Sequence, residues 1–281
     1  MRLGAPVFNF TTPTEWIAAH ARKKLGAAYW PLPHDAPPAA RDDFVRAARD
    51  HNLVIAEVGI WNNLLHPDPA LREKNISIAI EKLRLADAVG ARCCVNISGS
   101  RGEIWDGPHP ANLTPETFDL VVGTTRRILD EAAPANTFYT LEPMPWMFPC
   151  DLDSMLRLIA AVDHPRFGVH IDMCNLMNTP DKVLRNADHT RDWFTALAPR
   201  IRSIHAKDVI LHPRLTVHID EARPGEGQFD FATLLRHAHA LGDVPVMCEH
   251  LPSEADYDLA TTHFQTLAAS LGLSFESAKF P

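Results

Sequence analysis

Several signatures are missing from this sequence of 281 residues. It has no basic excess: 27 Lys and Arg stand against 35 Asp and Glu, a formal net charge of −8. A protein that grips nucleic acid by its phosphates, or an anionic membrane surface, needs the opposite balance. Neither partner is expected. Cysteine is scarce and unpatterned. The five, Cys93, Cys94, Cys150, Cys174 and Cys248, are odd in number and form no CxxC. A disulfide framework and a thiolate zinc site are both excluded by that spacing. Most lie in apolar runs and read as reduced core residues of a cytoplasmic protein. No apolar run reaches the ~18 residues of a membrane helix. The opening MRLGAPVFNF breaks its short apolar run with Gly and Pro, and makes a poor signal peptide. No HExxH is present, which excludes a zincin, and no GxSxG, which excludes the serine-hydrolase elbow. GEG at 225–227 is too short for a phosphate loop. No basic cluster marks a phosphate pocket, so an unphosphorylated substrate is expected.

What is present is an even spread of apolar residues, 46% of the chain, enough for a sizeable core. The strand-like runs are LGAPVFN (3–9), AAYWPL (27–32), LVIAEVGIW (53–61), RCCVNISG (92–99), FYTLEPMP (138–145), FGVHIDMCN (167–175), IRSIHAKDV (201–209) and PVMCEHL (245–251). Between them lie amphipathic segments with start signals. Thr12-Pro13-Thr14-Glu15 is a capping box with Pro at the first helical position. Thr114-Pro115 and Ser253 open helices in the same way. Residues 70–90 repeat apolar positions at helical spacing and close on Gly90. Nearly continuous apolar strands alternating with helices predict a parallel sheet covered outside. Eight repeats fit a single (β/α)8 TIM barrel over residues 1–281. An open doubly wound sheet needs a Gly-rich turn after its first strand. Here that turn reads FNFTTPTEW, without glycine. Pro-rich PLPHDAPPAARDD (31–43) reads as a loop into the second helix.

Four successive runs carry a polar residue late: Glu142, Asp172, His205 and Glu249. A carboxylate taken from water without a partner costs several kcal/mol. In a barrel the C-terminal strand ends form the mouth, with neighbouring strands about 4.8 Å apart, so these side chains converge. Three carboxylates and an imidazole repel one another unless a divalent cation joins them. This oxygen and nitrogen donor set suits Mn2+, Mg2+, Co2+ or Zn2+, with Mn2+ the expected ion. Glu57 and Asn96 are expected to line the inside of their strands. His170 shares the face of Asp172 but lies deeper. Lys207 follows His205 by two and points the same way, towards a substrate oxygen or a carboxylate. Arg223, in the loop after the seventh run, is a candidate clamp for hydroxyls. Trp61, Trp105 and Trp146, at or after strand ends, offer flat faces for a sugar or an aromatic aglycone.

Together the strand ends, the SIHAKD segment and the RPGEGQFDFATLL segment resemble the xylose-isomerase-like barrels, a superfamily of sugar isomerases and epimerases, over residues 3 to 270. The resemblance implies one divalent ion on Glu142, Asp172, His205 and Glu249. It also implies that the two glutamates are the catalytic acid/base pair on either face of the substrate. Many epimerases of that group have a His three residues after the Asp; here the position is Asn175, whose amide can still bond a hydroxyl. A narrower similarity links SRGEIWDGPHPANLT (100–114), LEPMPW (141–146) and LTVHIDEARPGEG (215–227) to the larger subunit of bacterial C-glycoside deglycosidases. Those are lyases that eliminate an aglycone from 3-keto sugars. That similarity implies catalysis by His109 and a small partner subunit; a homo-oligomer is the other assembly expected. Both readings begin by removing a proton beside a carbonyl. A metal-dependent nuclease and a non-catalytic sugar-binding barrel are the competing classes. The charge of −8 and the single four-ligand set oppose the nuclease.

Overall fold

A computed structural model describes residues 1–280. The chain runs through β1 (Arg2–Gly4), α1 (Pro13–Arg22), β2 (Ala27–Tyr29), α2 (Pro38–Asp50), β3 (Val54–Gly59), α3 (Pro69–Val89), β4 (Cys93–Asn96) and α4 (Pro115–Ala132). It continues with β5 (Phe138–Leu141), α5 (Leu152–Val162), β6 (Val169–Asp172), α6 (Pro180–Leu184), α7 (Asn186–Leu197) and β7 (Ile201–Ala206). Then come β8 (Asp208–His212), β9 (His218–Ala222), α8 (Phe231–Ala240), β10 (Pro245–Cys248) and α9 (Glu254–Ser270). Eight strands form a parallel, nearly closed barrel in the order β5-β4-β3-β2-β1-β10-β7-β6, ringed by helices. Every apolar run read from the sequence supplies one of them. The reason is visible in burial: β4, β6 and β10 are buried along their whole length, as strands covered on both faces must be.

Two compact units divide the chain, residues 1–56 with 172–281, and residues 57–171. In the first, β10 lies between β1 and β7, with Leu3 opposite Val246 and Met247 opposite His205. In the second, β4 lies between β3 and β5, with Glu57 opposite Cys93 and Asn96 opposite Leu141. A bridge between Tyr139 and Phe167 joins β5 to the residues leading into β6.

Helix starts follow the sequence signals. Thr12 and Glu15 form both halves of the capping box before α1. Thr114 caps α4, Ser253 caps α9, and Gly90 ends α3 in the left-handed conformation at φ 70°. Two features differ from expectation. The stretch 31–43 is a loop only as far as Pro37, because α2 already starts at Pro38. Proline suits a first helical turn, so a Pro-rich composition did not mark where the loop ends. The seventh run also continues into an antiparallel hairpin, β8 with β9, outside the barrel. The second strand of that hairpin is mostly exposed and has no apolar face to announce it. Among the described residues no helix is long and apolar enough to cross a membrane.

The buried face of α1 contains His20, only 1% exposed. Its Nδ1 donates to the Trp16 carbonyl at 2.8 Å, one helical turn back. Burial outweighs that bond and pulls the imidazole down to about 4. The neutral ring therefore stabilises the fold fully above the ordinary histidine pKa, about 6.5, and this stability is lost as pH falls towards 4. Between pH 7 and 4.5 the loss at this site amounts to about 2 kcal/mol. Urea unfolding of His20→Gln, whose amide cannot take up a proton, is expected to show an acid-induced loss smaller by that amount. An unchanged pH slope would refute the assignment.

Candidate metal centre

The first unit carries a tight group at its strand ends. Asp172 is the last residue of β6, His205 the penultimate residue of β7, and Glu249 follows β10 directly. Because Met247 pairs with His205 and Cys248 with Ala206, the next register step sets Glu249 beside Lys207. Asp172, His205 and Glu249 each present one ligand atom, all within 4.8 Å of one another. Nδ1 of His205 lies 2.9 Å from Glu249 Oε2. The Lys207 ammonium lies 2.8 Å from Asp172 Oδ2 and 2.8 Å from Glu249 Oε1. It also donates to Asn175 Oδ1 at 3.1 Å, while the Asn175 backbone N–H donates to Asp172 Oδ1 at 3.1 Å. The backbone thus arrives at the aspartate, and the amide side chain at the lysine.

Burial opposes ionisation of Glu249, but the neighbouring His205, Lys207 and His250 outweigh it and hold the carboxyl well below the usual range. The group is therefore a carboxylate at neutral pH, fit to bind a cation or take a proton. His250 Nδ1 donates to Glu221 at 3.3 Å, which raises its pKa. With that nitrogen carrying its proton, Lys207, 3.5 Å away, is not its donor. Among the described residues no cysteine belongs to this group of donor atoms. Burial pushes the Cys248 thiol up to about 12, and Cys174 is raised well above its ordinary value while its Sγ donates to the Asp208 carbonyl at 3.2 Å. The oxygen and nitrogen donors remaining suit Mg2+, Mn2+, Co2+ or Zn2+.

Asp208, one residue past Lys207, has a role that sequence reasoning did not assign. Its buried carboxylate accepts the backbone N–H groups of Gly225 and Gly227 on Oδ2, at 3.0 and 2.9 Å. Oδ1 accepts those of Val209 and Phe229, at 2.8 and 3.0 Å. The GEG segment therefore wraps a protein carboxylate. A Cβ at Gly227 would stand 2.2 Å from Asp208 Oδ1, and Gly225 has φ +97°. The close approach requires glycine at 227, and the left-handed backbone favours it at 225. The sequence signal was the Asp of HAKD taken together with GEG. Arg223, at the head of the segment, lies 2.5 Å from Glu226 and 4.0 Å from Asp256, so its guanidinium is engaged on carboxylates of its own unit.

The second unit holds the remaining candidates. Glu142 follows β5 directly, is buried, and donates its backbone N–H to the Asn96 carbonyl at 2.8 Å. Asn96 does line its strand, with its amide bonded to the backbone of Asn62. Glu57 and His170 are fully buried and meet at 3.2 Å. His109 is exposed and caps the short turn Pro110–Leu113. Its Nδ1 accepts from the Ala111 N–H at 3.2 Å, so the neutral ring carries its proton on Nε2. Trp146 donates its indole N–H to the Asp106 carbonyl at 2.7 Å, which ties it to the loop holding Trp105 and His109. That loop is organised by Asn112, fully buried, which accepts from Arg101 N at 2.8 Å and donates to Gly107 O at 3.1 Å. No periodicity marks such a residue in advance.

The family model of the xylose isomerase-like TIM barrel matches residues 19–267. The chain belongs to that family. This agrees with the resemblance carried by the strand ends and by the HAKD and GEG segments. Solved structures of the xylose isomerase-like fold superpose over nearly the whole chain. One from Mycobacterium smegmatis, in complex with magnesium, is 17% identical, covers 93% of this chain and 89% of its own, and gives a TM-score of 0.66. The 3-keto-D-glucoside 4-epimerase of E. coli is 16% identical, with 96% and 99% covered and a TM-score of 0.68. D-Psicose 3-epimerase with D-tagatose, from Clostridium cellulolyticum H10, is 14% identical, with 96% and 99% covered and a TM-score of 0.69. At such identities the likeness is one of fold. No curated protein matched the sequence.

Proposed function

We propose that this chain is a divalent-metal-dependent enzyme that removes a proton beside the carbonyl of a sugar or keto-sugar, acting as an isomerase or epimerase. The observation that carries the reading is the buried group of Asp172, His205 and an ionised Glu249, with donor atoms inside 4.8 Å. Glu142, at the corresponding place after β5, is the fourth ligand in this reading and the second member of the acid/base pair. A divalent ion held there, Mn2+ first, supplies Lewis acidity to a carbonyl oxygen. Glu249, kept ionised by its neighbours, takes the proton from the carbon, and Glu142 returns one from the other side. Return to the opposite face of the same carbon is epimerisation, and return to the adjacent carbon is isomerisation. Asn175 and Lys207 offer donors to substrate oxygens, Trp105 and Trp146 apolar faces, and Arg223 a further donor at the loop. The magnesium complex and the two sugar epimerases of the same fold support the metal and the substrate class.

A second reading, elimination of the aglycone from a 3-keto C-glycoside with a small partner subunit, is favoured by the loop of His109. A ring with its proton on Nε2 can donate to a departing group, and its loop is fastened to Trp146. Incubation in deuterated water with free ketoses and with 3-keto-glycosides separates the two. Deuterium at the carbon beside the carbonyl, with the glycoside intact, is expected. Release of an aglycone selects the lyase, and neither result in the presence of Mn2+ removes both.

A further inference from the structure

Lys207 is a buried cation set against the very carboxylates that the reading above assigns to a metal. Its side chain is 2% exposed. An ammonium has three protons to donate. Asn175 Oδ1 accepts one at 3.1 Å, and Asp172 Oδ2 and Glu249 Oε1 stand at ion-pairing distance, each 2.8 Å from the nitrogen. Asp172 Oδ1 accepts from the Asn175 N–H, and Glu249 Oε2 lies 2.9 Å from His205 Nδ1. Glu221 stands behind, 3.8 Å from the ammonium. Two buried carboxylates brought together need a compensating positive charge, and the chain carries its own.

We propose that Lys207 is a tethered competitor for the divalent ion: it holds Asp172 and Glu249 together when the protein is ion-free, and it sets the affinity with which an ion is taken. The inference rests on the reading that Asp172 and Glu249 are ligands. An ion that takes both carboxylates must draw Asp172 Oδ2 or Glu249 Oε1 away from the ammonium, or bind beside it against the repulsion of like charges. Either route weakens binding. The lysine thus trades metal affinity for a folded site whose negative charge is partly offset before loading. The ammonium set free is then available to a substrate oxygen.

The test is calorimetric titration of chelator-stripped protein with MnCl2, together with thermal melts in the absence and presence of MnCl2. The proteins are wild type, Lys207→Gln, Lys207→Met, Lys207→Arg and Asp172→Asn. Both neutral variants are expected to bind Mn2+ at least ~10-fold more tightly than wild type. Ion-free, they are expected to melt about 5 °C or more lower, and to gain more than wild type when MnCl2 is added. Lys207→Arg, which keeps the charge, is expected to bind no more tightly than wild type. If Lys207→Met is unfolded without ion, recovery of folding with MnCl2 supports the proposal. Neutral variants that bind Mn2+ as wild type does, or more weakly, overturn it. If Asp172→Asn meanwhile loses Mn2+, the metal reading survives that failure. If Asp172→Asn binds like wild type, the metal reading falls and the competitor role falls with it.

Discussion

Glu249→Gln will fold like the wild type and lose about 10³-fold in turnover, the middle of the range for removing a general base. The substitution keeps shape and an acceptor oxygen for His205, which lies 2.9 Å from Glu249 Oε2. It removes the negative charge that the surrounding His205, Lys207 and His250 keep in place. In the proposed mechanism ligand and base would be lost in one step, while packing changes little because Gln has the shape of Glu. Glu142→Gln is expected to cost a similar factor, and the double variant no more than the worse single one, since residues that act as a unit are not additive. Circular dichroism checks the fold, and deuterium exchange into a keto-sugar checks the turnover. A non-catalytic sugar-binding barrel predicts that neither substitution alters anything chemical. Exchange rates within ten-fold of wild type would leave that alternative standing and remove ours.

The strands, and the convergence of Asp172, His205 and Glu249 at their ends, were readable in the sequence because both depend on short-range rules. A strand buried on both faces must be apolar throughout, so a late Asp in VHID or a late His in IRSIHA is conspicuous against its own run. Caps are equally local, which is why Thr12, Thr114 and Ser253 marked their helices correctly. What stayed hidden depends on partners distant in the chain. The carboxylate of Asp208 is chosen by amides at Gly225 and Gly227, and nothing in HAKD alone says that its Asp faces a loop, although the two-residue step from His205 did point Lys207 at carboxylates. Asn112 looks like any loop asparagine until Arg101 and Gly107 close around it. The β8–β9 hairpin has too few apolar positions to mark a second strand, and its tip residue Leu215 is fully exposed. Substrate identity is hidden for the same reason. The loop 100–114 is held by Asn112 and Trp146 through bonds with no periodic trace.

Removing divalent ions with a chelator will abolish activity, and MnCl2 will restore it. The expectation follows from charge. Asp172 and Glu249 bring two negative charges and Lys207 one positive, with His205 adding a nitrogen donor, and Glu142 would add a third negative charge. A doubly charged ion brings such a set to near neutrality. Binding only to the folded protein stabilises it by about 2.7 kcal/mol when the free ion is at 100 times its Kd. For a chain of this size that raises Tm by roughly 5 to 10 °C. Asp172→Asn leaves the hydrogen bond from the Asn175 N–H possible but removes one ligand charge. It is expected to weaken Mn2+ binding by at least ~10²-fold, the size of loss typical when a metal site is impaired, and to erase most of the Tm gain. His205→Gln, which keeps a polar end but not the imidazole, should behave alike. Stripped protein shown ion-free by elemental analysis, yet fully active and with a Tm indifferent to Mn2+, would mean that Lys207 alone compensates these carboxylates and that proton removal at this site is driven by the ammonium.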